Sequence, residues 1–275
     1  MSSMLRELVL LTSLVPVAAC IDDGSSPDTS ETEEDLTGVG IASWGALDAH
    51  LDLGPIATQT CFLRGVHGSL KGVGPGNAIT EAGAVISMQG DRWDLYTFHG
   101  SGPGVSGQAT CIPYTANRVT MMSSITGPVS VPATANRQCF LMSVRSFGNS
   151  WSENLANGTP PHAQIAVENG NWVLRSTVVN NDNPDGEIYG GHEEAVCVDV
   201  PIDGLYGWQY GAGGSTLVET VVPAPDAGWA CGLTAISGVF LDTWDRPGVE
   251  AAPVSGNKWT LTLAAGKGAN VRCIH

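Results

Sequence analysis

A chain of 275 residues with 27 acids against 12 bases, a net charge of −15 and a charged fraction of only 14 % is neither a disordered polyelectrolyte nor a basic nucleic-acid binder. A phosphate backbone would be repelled by it, so no nucleic-acid partner is expected. The seven cysteines form an odd count, which in a chain with export features leaves one thiol outside any set of pairs.

Residues 1–19 read as an export signal peptide. Arg6 is followed by an apolar stretch from Leu8 to Val17, broken by Thr12, Ser13 and Pro16 and ending in two alanines. It is too short to span a bilayer and ends in the small residues of a cleavage site. Leu14-Val15-Pro16-Val17-Ala18-Ala19-Cys20 resembles the lipobox of bacterial lipoprotein precursors, although Glu7 beside Arg6 departs from the positively charged start of that class. The resemblance implies that Cys20 is diacylated and becomes the first residue of the mature lipoprotein. It also implies that fatty chains such as palmitate hold the protein in the outer membrane of the cell envelope, on the periplasmic side or the cell surface. More than one chain anchors far more firmly than a single one.

Residues 20–35 contain Asp22, Asp23, Asp28, Glu31, Glu33, Glu34 and Asp35 with no base, so a solvated tether is expected there. Seven of the 27 acids lie in it and Glu7 lies in the signal, which leaves 19 acids against 11 bases in the body, a net −8.

From residue 36 the chain repeats three times, over 36–115, 116–200 and 201–275. Each copy opens on a cysteine segment: Cys61-Phe62-Leu63, Cys139-Phe140-Leu141 and Cys231-Gly232-Leu233. A turn and a Trp strand follow (Trp93-Asp94-Leu95, Trp172-Val173-Leu174, Trp259-Thr260-Leu261), and a second cysteine closes the copy (Cys111, Cys197, Cys273). Opening Cys to Trp measures 32, 33 and 28 residues, and Trp to closing Cys 18, 25 and 14. The alternation is that of strands: Trp93, Leu95 and Thr97 share a face, and so do Trp259, Leu261 and Leu263. Asn169-Gly170 is a strong two-residue hairpin signal. An all-β fold follows, with each copy expected to be one antiparallel sheet of four or five short strands and its Trp in the core.

Six cysteines remain for disulfides. Pairing within a copy (Cys61 with Cys111, Cys139 with Cys197, Cys231 with Cys273) is favoured over the cyclic alternative (Cys111 with Cys139, Cys197 with Cys231, Cys273 with Cys61), which needs a closed ring. Either set places the protein in an oxidising compartment. The Trp lies too far beyond the opening Cys for an immunoglobulin domain, and there is no Cys-x-x-Cys pair for zinc. The three copies could surround a pseudo-threefold axis, as in prism or propeller-like lectins, or stand in a row. Connections of 28 and 34 residues between one closing Cys and the next opening Cys favour one compact body.

No motif identifies a reaction, and no residue is assigned a catalytic role. His192-Glu193-Glu194-Ala195-Val196 fails the HExxH pattern at Val196 and runs into a strand. Asn181, Asn183 and Asp185 before Gly186 resemble part of an EF-hand calcium loop, but His192 holds the twelfth position. A polar turn is the first reading there and a calcium ion, the one cofactor considered, the second. Tyr206, Trp208 and Tyr210 alternate along a strand around Gly207, as core residues first and as a platform for sugar rings second. Trp151 and Trp244 sit in polar loops and are expected to be exposed ligand contacts. The sequence thus predicts a non-catalytic, lipid-anchored β-repeat protein with a binding or adhesion surface, carbohydrate being the first ligand class. A hydrolase using scattered carboxylates and a structural envelope subunit are the alternatives.

Overall fold

The computed structural model describes residues 33–35, 39–44, 50–72, 81–98, 104–123, 128–147, 151, 158, 160–177, 193–201, 205–211, 217–222, 229–241, 245, 247–251 and 259–275. They form nineteen strands in three sheets, with no helix among them. The first sheet runs β1 (Glu33–Asp35), β2 (Val39–Trp44), β7 (Val105–Ile112), β4 (Thr60–Gly68), β17 (Pro247–Ala251), β18 (Trp259–Leu263), β15 (Leu217–Val222). The second runs β3 (His50–Pro55), β6 (Arg92–Phe98), β5 (Glu81–Gln89), β10 (Arg137–Phe147), β13 (Glu194–Asp199), β8 (Val119–Met122). The third runs β14 (Leu205–Gly211), β19 (Gly268–Ile274), β16 (Ala230–Ser237), β11 (His162–Glu168), β12 (Asn171–Ser176), β9 (Val129–Pro132). Every pairing is antiparallel, and the sheets do not close into a barrel.

Local sequence explains the elements. In β6 the alternate residues Trp93, Leu95 and Thr97 are buried while Arg92 is exposed, the pattern of a strand with one face on a core. In the β11–β12 hairpin Asn169 and Gly170 both take positive φ, 48° and 76°, the pair a type I′ turn requires.

The expectation of one sheet per copy is corrected. Each sheet takes three strands from one copy and three from another, with β1 as a seventh strand at the edge of the first: β2, β7 and β4 join β17, β18 and β15, and the other two sheets are built alike. The exchange is cyclic, and the opening-Cys strand is its pivot. β10 pairs with its own closing strand β13 up to Ser143 and with β5 of the preceding copy from Ser143 to Phe147. The ladder to the closing strand shifts register at the same place in every copy, across Leu63/Gly65, Leu141/Ser143 and Leu233/Ala235. A bulge bends and twists its strand, so the rest of the copy folds across the first half instead of beside it. In the first copy a Cβ on Gly107 of β7 would lie 3.0 Å from Ala84 of β5 and Leu95 of β6, which brings the two half-sheets face to face.

The three copies agree in detail. Disulfides join Cys61 to Cys111, Cys139 to Cys197 and Cys231 to Cys273, each between residues directly opposite in the ladder. Trp93, Trp172 and Trp259 are buried. Their indole N–H groups donate to the carbonyls of Gln59, Arg137 and Trp229 at 2.8, 3.1 and 3.1 Å, in each case the residue two before the opening cysteine.

The opening strands β4, β10 and β16 pack on one another. Phe62 and Phe140 stack there with ring centroids 4.0 Å apart. The third equivalent position is Gly232, where a Cβ would come within 2.5–2.7 Å of both rings. Two rings fill a space that has no room for a third side chain. Beyond the strands a second hub forms from Leu70, Trp151 and Phe240, all fully buried. Leu70 N–H donates to the Phe240 carbonyl at 3.2 Å and Phe240 N–H to the Trp151 carbonyl at 2.8 Å.

Candidate functional site

The outer faces of the sheets differ where the opening-Cys strand passes. Six residues after the opening cysteine stand His67, Arg145 and Ser237, and three before the closing cysteine stand Gln108, Glu194 and Asn270. On the second sheet these positions are filled: Arg145 bridges Glu194 at 3.0 Å and Glu81 at 3.4 Å and lies over the Phe98 ring. Burial pushes both carboxyls above their ordinary pKa, against the pull of Arg145. On the third sheet the shorter Ser237 and Asn270 leave space.

Two adjoining cavities occupy that space and share Asn270. One, of about 380 Å³, is lined by His162, Gln164, Gly211 and Ser237 among others. The His162 ring nitrogen Nδ1 and the Thr177 hydroxyl are 3.1 Å apart. The other, of about 400 Å³, has Ile165, Val167, Leu205 and Gly207 with Thr234 and Arg272 in its wall. The pairing explains the second cavity: β16 bonds to β11 only over Ala235–Ser237, so toward Thr234 the two halves of the sheet diverge. Volumes of this size, mixing apolar walls with a few polar groups, suit a small ligand.

Arg272 projects from β19 between two glycines, Gly207 on β14 and Gly232 on β16, its direct neighbours across the ladders. Its guanidinium carbon lies 4.9 Å from the centroid of the Trp172 ring. Arg118 covers Trp93 in the same way at 5.3 Å, but there the guanidinium donates to the carbonyls of Ile56 and Gln59 at 2.8 and 2.7 Å. Among the described residues no carboxylate bridges Arg272, and its Nε is buried without a hydrogen-bond partner. Burial lowers its pKa, though not enough to discharge an arginine at neutral pH.

The residues singled out in the sequence fall into three groups. Tyr206, Trp208 and Tyr210 lie on β14, the edge strand of this sheet, with Cys273, Val271 and Ala269 as backbone partners; Gly207 between them borders the cavity. Trp151 corrects an expectation, because it is fully buried instead of exposed. Its indole donates to the Arg145 carbonyl at 3.0 Å and its ring meets Phe240 edge-on at 5.6 Å. Phe240 comes from another copy, so the loop around Trp151 gave no local sign of a partner. Cys20, Asn181, Asn183, Asp185 and Trp244 lie outside the described residues. Among the described residues no three His, Cys, Asp or Glu side chains gather to hold a metal ion. His162, Gln164, Asn270 and Arg272 were not anticipated. Their one sequence signal is Asn270-x-Arg272 where the other copies have Gln108-x-Thr110 and Glu194-x-Val196.

Of the failed HExxH pattern, Glu193 directly precedes strand β13 and Glu194 opens it; neither lies in a helix. Glu193 is fully buried and accepts a hydrogen bond from the Ser123 hydroxyl at 3.1 Å. Burial pushes its carboxyl up to about 7, against hydrogen bonds that favour the ion. The folded state therefore holds the proton more tightly than the unfolded chain. The stability this confers is complete below pH 4.5 and is lost as pH rises to about 7, a total of about 3 kcal/mol. Glu193→Gln should abolish that loss and leave the protein more stable than wild type at pH 8, as read from urea midpoints at pH 5 and 8. Parallel pH dependence in the two proteins would contradict it.

No protein-family model matches the chain, and no curated protein matches it either.

Proposed function

We propose that this chain is a lipid-anchored protein of the bacterial cell envelope that binds its ligand without transforming it, carbohydrate being the ligand class. The observation that carries the reading is the pair of adjoining cavities on one sheet face, at positions that the second sheet fills with Arg145 and its carboxylates. Repetition that builds three similar sheets, one carrying cavities where another is filled, suits a scaffold with a specialised surface. Amides and hydroxyls of Gln164, Asn270, Thr234 and Ser237 supply the donors and acceptors that sugar hydroxyls need, and the strand carrying Tyr206, Trp208 and Tyr210 forms one border. In this reading the copies surround a pseudo-threefold axis in the manner of a prism, with Phe62, Phe140 and Gly232 at its centre. The lipobox resemblance points to Cys20 as the acylated residue and the acidic run from Cys20 as the spacer from the outer membrane; the last three residues expected in that tether, Glu33–Asp35, instead pair with β2.

Two measurements test this. A glycan array probed with the intact mature chain should show saccharide binding, and a blank array across neutral and acidic glycans would refute the ligand class. Cys20→Ser should move the protein from the membrane fraction to the soluble one, whereas unchanged membrane retention would refute the anchor.

A further inference from the structure

We infer that the cavity around Arg272 is a carboxylate-recognition subsite, and that the saccharide this face takes carries a uronic acid. The inference rests on the carbohydrate reading above and narrows it to an acidic sugar. Three observations converge on it. A cation sits in a cavity of about 400 Å³ on a body with 19 acids against 11 bases, where it would be expected to find a carboxylate of its own. Instead no described carboxylate reaches it, whereas Arg137, Arg145 and Lys267 are each bridged to one and Arg118 is held by the carbonyls of Ile56 and Gln59. The residues directly opposite it on both flanking strands are glycines, Gly207 and Gly232, and its guanidinium carbon lies 4.9 Å from the centroid of the Trp172 ring.

A planar guanidinium presents a fork of donors that matches two parallel N–H···O bonds to a carboxylate. Part of the desolvation cost of the cation has already been met on folding, so an arriving carboxylate meets a charge that water screens poorly. Thr234 and Asn270 line the same cavity and offer a hydroxyl and an amide to the neighbouring ring hydroxyls. Ile165, Val167 and Leu205 give the apolar wall for the sugar's C–H face.

The test measures binding of oligogalacturonate, a neutral oligosaccharide of equal length and sodium acetate to the intact mature chain by calorimetry. The variants are Arg272→Gln, Arg272→Lys and, as a charge control on another sheet, Arg92→Gln. The expected result is that oligogalacturonate binds at least tenfold more tightly than the neutral oligosaccharide. Arg272→Gln should erase that preference, Arg272→Lys should restore part of it, and Arg92→Gln should leave it intact. Weak or absent binding of acetate alone would place the recognition in the sugar acid instead of any small carboxylate; acetate competing as well as the oligomer would overturn the uronic-acid assignment. Equal binding of acidic and neutral oligosaccharides by the wild-type chain, a comparison that needs no variant to fold, would overturn the inference and leave the carbohydrate reading standing. Undiminished oligogalacturonate binding by Arg272→Gln would do the same. Failure of every saccharide to bind would overturn both.

Discussion

Reduction of the three disulfides should unfold the body under conditions in which the oxidised protein is native. Cys61–Cys111, Cys139–Cys197 and Cys231–Cys273 close loops with sequence separations of 50, 58 and 42 residues. On the chain-entropy model each contributes about 4 kcal/mol, so together they match or exceed the whole stability of a typical domain, about 5–15 kcal/mol. Removing one by a double Cys→Ala exchange should leave a folded but weakened protein. Near-UV circular dichroism against added reductant, with alkylation and mass spectrometry to count free thiols, checks both statements. A native spectrum with all six thiols alkylated would show that the sheets hold without their staples.

Gly232→Ala should be among the most damaging single changes despite adding one methyl group. The new Cβ would lie 2.5–2.7 Å from carbons of Phe62 and Phe140, and two stacked rings in a closed centre have no free end to swing aside. Overpacking of this kind costs about 3 kcal/mol, a fall in melting temperature on the order of 6–12 °C for a body of this size. Gly207→Ala is the matched control: its nearest neighbour would be the Val271 carbonyl oxygen at 3.9 Å, and its effect on stability should be within about 0.5 kcal/mol. Adding Phe62→Leu to Gly232→Ala should recover part of the loss, because it trims the ring that the methyl meets. Equal melting temperatures for the two alanine variants would dissociate the central packing from stability.

The repeat, the strand class and the cysteine pairs were legible because each rests on short-range signals, such as the Trp alternation in β6, the Asn169-Gly170 turn and the order of cysteines along the chain. What lies between copies was not. Whether β5 adds to its own opening strand or to the β10 of the next copy depends on a bulge and on edge pairing between residues about sixty apart, and no local pattern encodes that choice. Trp151 was misjudged for the same reason, its partner Phe240 being 89 residues away. Arg272 was invisible as a site because its isolation depends on which residues flank it across two ladders. Gly232 did leave a trace: it breaks the Cys-Phe-Leu pattern of the other two copies, and a break at a central repeat position marks where symmetric side chains would collide.

The cyclic exchange also sets an order of assembly. The first sheet takes β4 from the start of the body and β17, β18 and β15 from its last third, joined where Gly65 meets Gly248. A chain delivered from its amino end therefore presents the β4 edge with no mate until residue 248 has emerged. A bare strand edge is a template for the wrong neighbour, and long-range pairing is slow to form. Early closure of Cys61–Cys111 would hold β4 and β7 together during that wait, giving the first staple a task on the way to the native state that the last one, formed when every strand is present, does not share.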